Sequence, residues 1–212
     1  MNAKPILAIV PFLIFVTSCG GGPPEPTASF DVRVVATTNI VADLVRTVGG
    51  PKVEVEALMG PGIDPHLYKA SAGDVRRMSS AEAIFYSGLH LEGKMSEVLG
   101  RMAERGTRTV AVAECVPKGE RIESADFSGV HDPHVWFDVA LWSHAVECVT
   151  ETLTDLDPDN GDAYEARAAT TVEELMALDG WVRERVEALA PEQRVLVTAH
   201  DAFGYFGRAY GF

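Results

Sequence analysis

The sequence predicts an α/β fold built on parallel sheets, in two halves set apart by one long helix. Three observations carry that expectation. From Phe30 onward, short runs rich in β-branched residues alternate with stretches of helical periodicity, the pattern of strand–helix–strand units. One helical stretch, from about Gly161 to Leu189, is far longer than the others. Three histidines next to aspartates fall at separate strand-to-helix junctions, and they meet only if two halves face each other across a cleft.

Val32 to Thr37 reads as the first strand. Asn39 then caps a helix with Ile40, Val41, Leu44, Val45 and Val48 on one face, ended by Gly49-Gly50. Val53 to Leu58 alternates as a second strand and leads through the Gly60-Pro61-Gly62 turn to His66. Ser71 to Met78 is a short helix, Ala83 to Tyr86 a third strand, Glu92 to Arg105 a helix, and Thr109 to Ala113 a fourth strand. Val139 to Leu153 is helical, and the long helix follows. Val195 to Thr198 reads as a further strand and Ala202 to Tyr210 as its helix. A lone strand and helix cannot bury their own apolar faces. This last unit either joins the first sheet or begins a second lobe of which the chain holds only the start, and the second is the expectation.

With 212 residues and 47% hydrophobic content, the chain suffices for one large domain or two small ones. Acidic residues outnumber basic ones, 31 to 18, which argues against nucleic acid, because phosphate binding needs a basic patch. Residues 1–19 read as an export signal: Lys4, then an apolar run from Ile6 to Val16 too short to span a membrane. Val16-Thr17-Ser18-Cys19 resembles the lipobox of bacterial lipoproteins, which makes Cys19 the lipidated residue. Residues 20–30, rich in Gly and Pro, read as a flexible tether. The expected location is outside the cytoplasm, lipid-anchored to the cell membrane, in the periplasm or on the cell surface. Nothing in the sequence brings Cys115 and Cys148 close enough to pair, so both are expected to be buried free thiols.

The densest chemistry lies in His131-Asp132-Pro133-His134-Val135-Trp136-Phe137-Asp138. Gly62-Ile63-Asp64-Pro65-His66 and Thr198-Ala199-His200-Asp201 repeat the histidine–aspartate pairing. In open α/β sheets ligands bind beyond the carboxyl ends of strands, where His66 and His200 are expected. Neutral imidazole suits zinc, copper, nickel and iron. Three such nitrogens and one more ligand make a tetrahedral zinc site. Pro65 and Pro133 stiffen the backbone that aims the rings. Asp64, Asp132 and Asp201 either accept the N–H of the non-ligating ring nitrogen or merely cap turns. His90 follows the third strand and is not expected to touch metal; His131 is expected in a solvated loop, and His144 within a helix, on the surface or in the core. Trp136, Phe137 and Trp142 are expected to wall the site off from water, although Trp136 and Phe137 read equally well as ordinary core. No HExxH and no nucleophile–base spacing is present, so no catalytic residue is assigned.

Together, the segments Gly62–His66, Asp132–Asp138 and Thr198–Phe206 resemble the signature segments of metal-binding lipoproteins serving zinc and manganese ABC importers, in particular the TroA-type subgroup. The resemblance runs from about Val32 to the end. It implies two α/β lobes joined by a long rigid helix, with a metal held between them and delivered to a membrane permease. It makes His66 and His134 the ligands of the first lobe and His200 the first ligand of the second. Residues 31–158 would form the N-terminal lobe, 159–190 the linking helix, and 191–212 the start of an incomplete C-terminal lobe. The family's fourth ligand, an aspartate, lies beyond Phe212. The chain departs from many members in lacking a histidine-rich loop between Pro117 and Val130, and in carrying Val139 where they have proline. Manganese members commonly have glutamate where His200 stands, so zinc is expected ahead of manganese. The expected protein is therefore a monomeric, non-enzymatic, extracytoplasmic substrate-binding component of an ABC transporter. Two other readings stand beside it: a zinc-dependent hydrolase, and an adhesin or scaffold lipoprotein in which metal is structural.

Overall fold

The computed structural model describes residues 30–124 and 129–212. The export signal, Cys19 and the tether up to residue 29 lie outside the described residues. The strands are β1 (Val32–Ala36), β2 (Val53–Ala57), β3 (Ala83–Tyr86) and β4 (Arg108–Ala111). They form one parallel sheet in the order β2-β1-β3-β4. The crossovers run through α1 (Asn39–Gly49), α2 (Ala72–Ser80) and α3 (Ser96–Glu104), as parallel pairing requires.

Strand alternation decides which helices cover which face. Val34 and Ala36 of β1, with Phe85 of β3, pack against α1 and against α4 (Val139–Leu156). Val35 and Ile84 point the other way, onto Met78 of α2 and Leu99 and Met102 of α3. A parallel sheet covered on both faces needs apolar side chains at successive positions of its central strands, and β1 and β3 supply them. The edge strand β2 alternates instead, with Glu54 and Glu56 exposed.

Three sequence expectations are corrected locally. Thr38, not Asn39, caps α1: its backbone is extended and its hydroxyl accepts from the Val41 amide at 3.4 Å, whereas Asn39 is already helical. Cys115 and Cys148 are not free thiols but a disulfide, with a Cα–Cα distance of 6.4 Å, inside the usual range. Spacing along the chain concealed it, because the 33-residue separation closes only when α4 packs on the short 3-10 turn Val112–Cys115 after β4. Finally, Val195 to Thr198 is not a strand; Val195 is 71% and Val197 90% exposed. A strand is defined by its neighbour, and none lies beside this segment among the described residues.

The long helix, α5 (Gly161–Glu187), has 27 residues and so spans about 40 Å. Its first half is anchored: Tyr164 is fully buried, and Arg167 donates to the Val48 and Gly49 carbonyls at 2.6 and 2.8 Å. Its second half leaves Met176, Leu178 and Trp181 exposed. The last helix, α6 (Gly204–Tyr210), returns against the loop that precedes α4. Among the described residues, no helix is long and apolar enough to cross a membrane.

Candidate metal centre

Loops beyond the carboxyl ends of β2 and β4 carry His66 and His134, whereas His200, expected beyond a strand, follows the irregular segment Val195–Thr198. Beyond β2, the chain turns at Gly62, whose φ of +81° is a left-handed conformation that glycine adopts without strain. The Asp64 carboxylate then accepts the His66 amide at 2.9 Å, an Asx turn that sets the backbone under the His66 ring. Ser71 and Asp74 cap each other's amides to start α2 just afterwards.

Beyond β4, Asp132 Oδ1 accepts two hydrogen bonds from His134, from the backbone amide at 2.9 Å and from ring Nδ1 at 2.6 Å. With its proton on Nδ1, the ring offers the Nε2 lone pair to the site. Asp138 caps α4 through the Leu141 amide at 3.1 Å, and so anchors the 3-10 turn Val135–Phe137 that follows His134. His200 stands on a turn in which its carbonyl accepts from the Thr198 hydroxyl and the Ala202 amide, both at 2.9 Å.

The three rings converge. His134 Nε2 lies 3.2 Å from His66 Nε2 and 3.2 Å from His200 Nε2. One ring nitrogen from each of the three lies within 4.8 Å of the other two. Two nitrogens bound tetrahedrally to one zinc at 2.0–2.1 Å stand about 3.3 Å apart, so both 3.2 Å separations would suit a shared cation. Lone pairs so placed repel one another unless a proton or a metal lies between them. His134 is only 5% exposed, His66 is half-buried and His200 is exposed. The rings line a cavity of about 300 Å³ together with His90, His131 and Asp201. Burial, and then the neighbouring His134, lower the His66 pKa below its ordinary value, which favours the neutral, ligating form.

The remaining candidates sort by contact. Of the three aspartates, Asp132 orients a ring, Asp64 caps a turn, and Asp201 is exposed. His90 is exposed on the cavity rim, with a φ of +67°. His131 is not in a solvated loop: it is half-buried, bridges Glu123 in antiparallel fashion, and leaves Nδ1 buried without a hydrogen bond. His144 lies half-buried in α4, along a groove facing α5. Trp136 meets the His134 ring edge-on at 5.3 Å between centroids, while Trp142 belongs to the core. Phe137 stacks on Phe203 of the 200–206 segment at 4.4 Å, a contact across the site that spacing did not reveal. Glu92 was also missed. It is a buried carboxylate that accepts from the Thr37 hydroxyl at 2.6 Å and the Ser87 amide at 2.8 Å, tying the ends of β1 and β3. Burial raises its pKa against those bonds.

The sequence match agrees with this geometry. The family model described as zinc-uptake complex component A, periplasmic (ZnuA), matches residues 34–212. The chain belongs to the ZnuA family. The manganese-binding lipoprotein MntA of Bacillus subtilis is 44% identical over 208 residues, covering 98% of this chain and 67% of that protein. The zinc-binding protein TroA of Treponema pallidum is 47% identical over 194 residues, covering 90% of this chain and 61% of that one. The solved structure of the periplasmic zinc-binding protein TroA from Treponema pallidum superposes with a TM-score of 0.81, at 47% identity, over 85% of this chain and 64% of that one. The chain thus spans about two thirds of the length of these ZnuA-family relatives. Its parallel sheet and covering helices are the α/β fold they share.

Proposed function

We propose that this protein is the extracytoplasmic receptor of an ABC metal importer, capturing a divalent transition metal and passing it to a membrane permease. The observation that carries the reading is the convergence of three imidazole nitrogens from three separate loops, with Asp132 fixing the tautomer of the central one. His66, His134 and His200 are the proposed ligands. The names of the relatives support metal capture and divide between zinc and manganese. Three nitrogens favour zinc, because manganese prefers oxygen ligands. The reading is one of capture and release without catalysis, in a monomer held at the membrane by lipid on Cys19. We assign residues 31–158 to a first lobe, 159–190 to the linking helix and 191–212 to the beginning of a second. The exposed apolar side chains of the second half of α5 and of Val195–Val197 suit that assignment, since each awaits a packing partner.

Calorimetric titration with zinc and manganese tests this on the wild type, His66→Ala and His200→Ala, using protein without its leader. Tight zinc binding that both substitutions weaken is the expected result. Binding indifferent to both substitutions would overturn the ligand assignment, and tighter manganese binding would overturn the choice of metal.

A further inference from the structure

The aspartate that orients His134 is itself held from the His200 side of the site. Tyr205 lies five residues after His200 on α6 and is fully buried. Its hydroxyl accepts from the Ile122 amide at 3.0 Å and donates to the Asp132 carbonyl at 3.1 Å. Ile122 and Asp132 are themselves joined, the Asp132 amide donating to the Ile122 carbonyl at 2.9 Å next to the Glu123–His131 bridge. One hydroxyl thus clamps both strands of the short pair from which Asp132 projects. The helix also comes very close: a Cβ on Gly204 would stand 3.1 Å from Asp132 Oδ2. The connections form a ring, from His200 along the chain to Tyr205, through its hydroxyl to Asp132, through that carboxylate to His134, and across 3.2 Å back to His200.

We infer that Tyr205 is a positioning residue of the metal site, whose hydroxyl sets the separation of His134 from His200 by tying Asp132 to the helix that follows His200. The inference rests on the three-histidine reading above. Groups that orient ligands from outside the coordination sphere typically contribute 10- to 100-fold in metal affinity. Tyr210 supplies the matching control. It lies on the same helix, where its hydroxyl accepts from the Val139 amide at 3.4 Å and donates to Asp179 at 3.0 Å, and it makes no hydrogen bond to Asp132.

The test uses the protein without its leader. Zinc affinity is measured by calorimetry, and coordination geometry is read from the visible bands of bound cobalt(II), on wild type, His134→Ala, Tyr205→Phe and Tyr210→Phe. Tyr205→Phe is expected to lower zinc affinity by about tenfold or more and to change the cobalt bands. Tyr210→Phe should lower the melting temperature of the metal-free protein while leaving affinity and bands unchanged. If Tyr205→Phe binds like wild type with the same cobalt spectrum, or if Tyr210→Phe weakens binding equally, the positioning role is overturned. Should Tyr205→Phe fail to fold, Gly204→Ala decides, since it presses on the same carboxylate with the tyrosine intact; an unchanged cobalt spectrum there also overturns the role. Wild type that binds no zinc, or His134→Ala that binds like wild type, would overturn the three-histidine reading and this inference with it.

Discussion

His134 and His200 bring their Nε2 atoms to 3.2 Å, but the chain holds them in opposite ways. His134 is buried, its ring is fixed at Nδ1 by Asp132, and Trp136 closes one side. The disulfide between Cys115 and Cys148 closes the loop that carries it. His200 is exposed and stands after an irregular segment whose valines face solvent. What orders it is the packing of α6 downstream, through Phe203 on Phe137 and the Tyr205 hydroxyl. Local stability follows local packing, so the two proposed ligands would differ in how much of their geometry is set before metal arrives. Preorganised ligands contribute more affinity because less ordering opposes binding.

The sharpest way to break this comparison is to remove each histidine in turn. His134→Ala is expected to cost more than about 100-fold in zinc affinity, above what outer partners alone contribute, and His200→Ala clearly less; equal losses by calorimetry would abolish the distinction. Asp132→Asn comes next. It should weaken zinc binding by about 10- to 100-fold while the fold persists by circular dichroism, because the amide cannot accept the Nδ1 proton as a carboxylate does. An unchanged affinity would mean the ring is held by packing alone.

The disulfide probes the same side of the site with a smaller effect. Replacing Cys115 and Cys148 together by alanine should lower the unfolding free energy by about 2–4 kcal/mol in urea denaturation. Zinc affinity should fall with it, since the closed loop contains His134 but neither His66 nor His200. Unchanged affinity in a destabilised protein would place the brace outside the site.

The gentlest probe is pH. His66 titrates below the ordinary histidine value because burial, and then His134, disfavour its charged form. The unfolded chain therefore binds a proton on this residue that the folded chain does not, between about pH 6.5 and the lower folded value. Stability of the metal-free protein should fall as pH drops through that window, and His66→Gln should flatten the slope in melting curves. Zinc binding should weaken on acidification too, because protons compete for the same nitrogens. Tight binding persisting well below pH 5 would contradict neutral-imidazole capture.

Much of this protein was legible along the chain because the signals were local. The alternation of β-branched runs and helical periodicity placed all four strands and the long helix within a few residues of where they lie. His66 and His134 stood out because histidine close to aspartate and proline is a pattern that fits within a few residues, and His200 because Asp201 follows it. Tertiary structure decided whatever depends on a partner distant in sequence. Val195–Thr198 has the composition of a strand and no neighbour to make it one. Cys115 and Cys148 needed α4 packed on the 3-10 turn after β4 before their separation could be judged. Asp132 and Asp64 look alike in sequence, yet only Asp132 reaches a ring. The Tyr205 hydroxyl gains meaning from Ile122, 83 residues away. Backbone periodicity is set by each residue and its near neighbours, whereas pairing, burial and ligand spacing exist only once distant segments have packed.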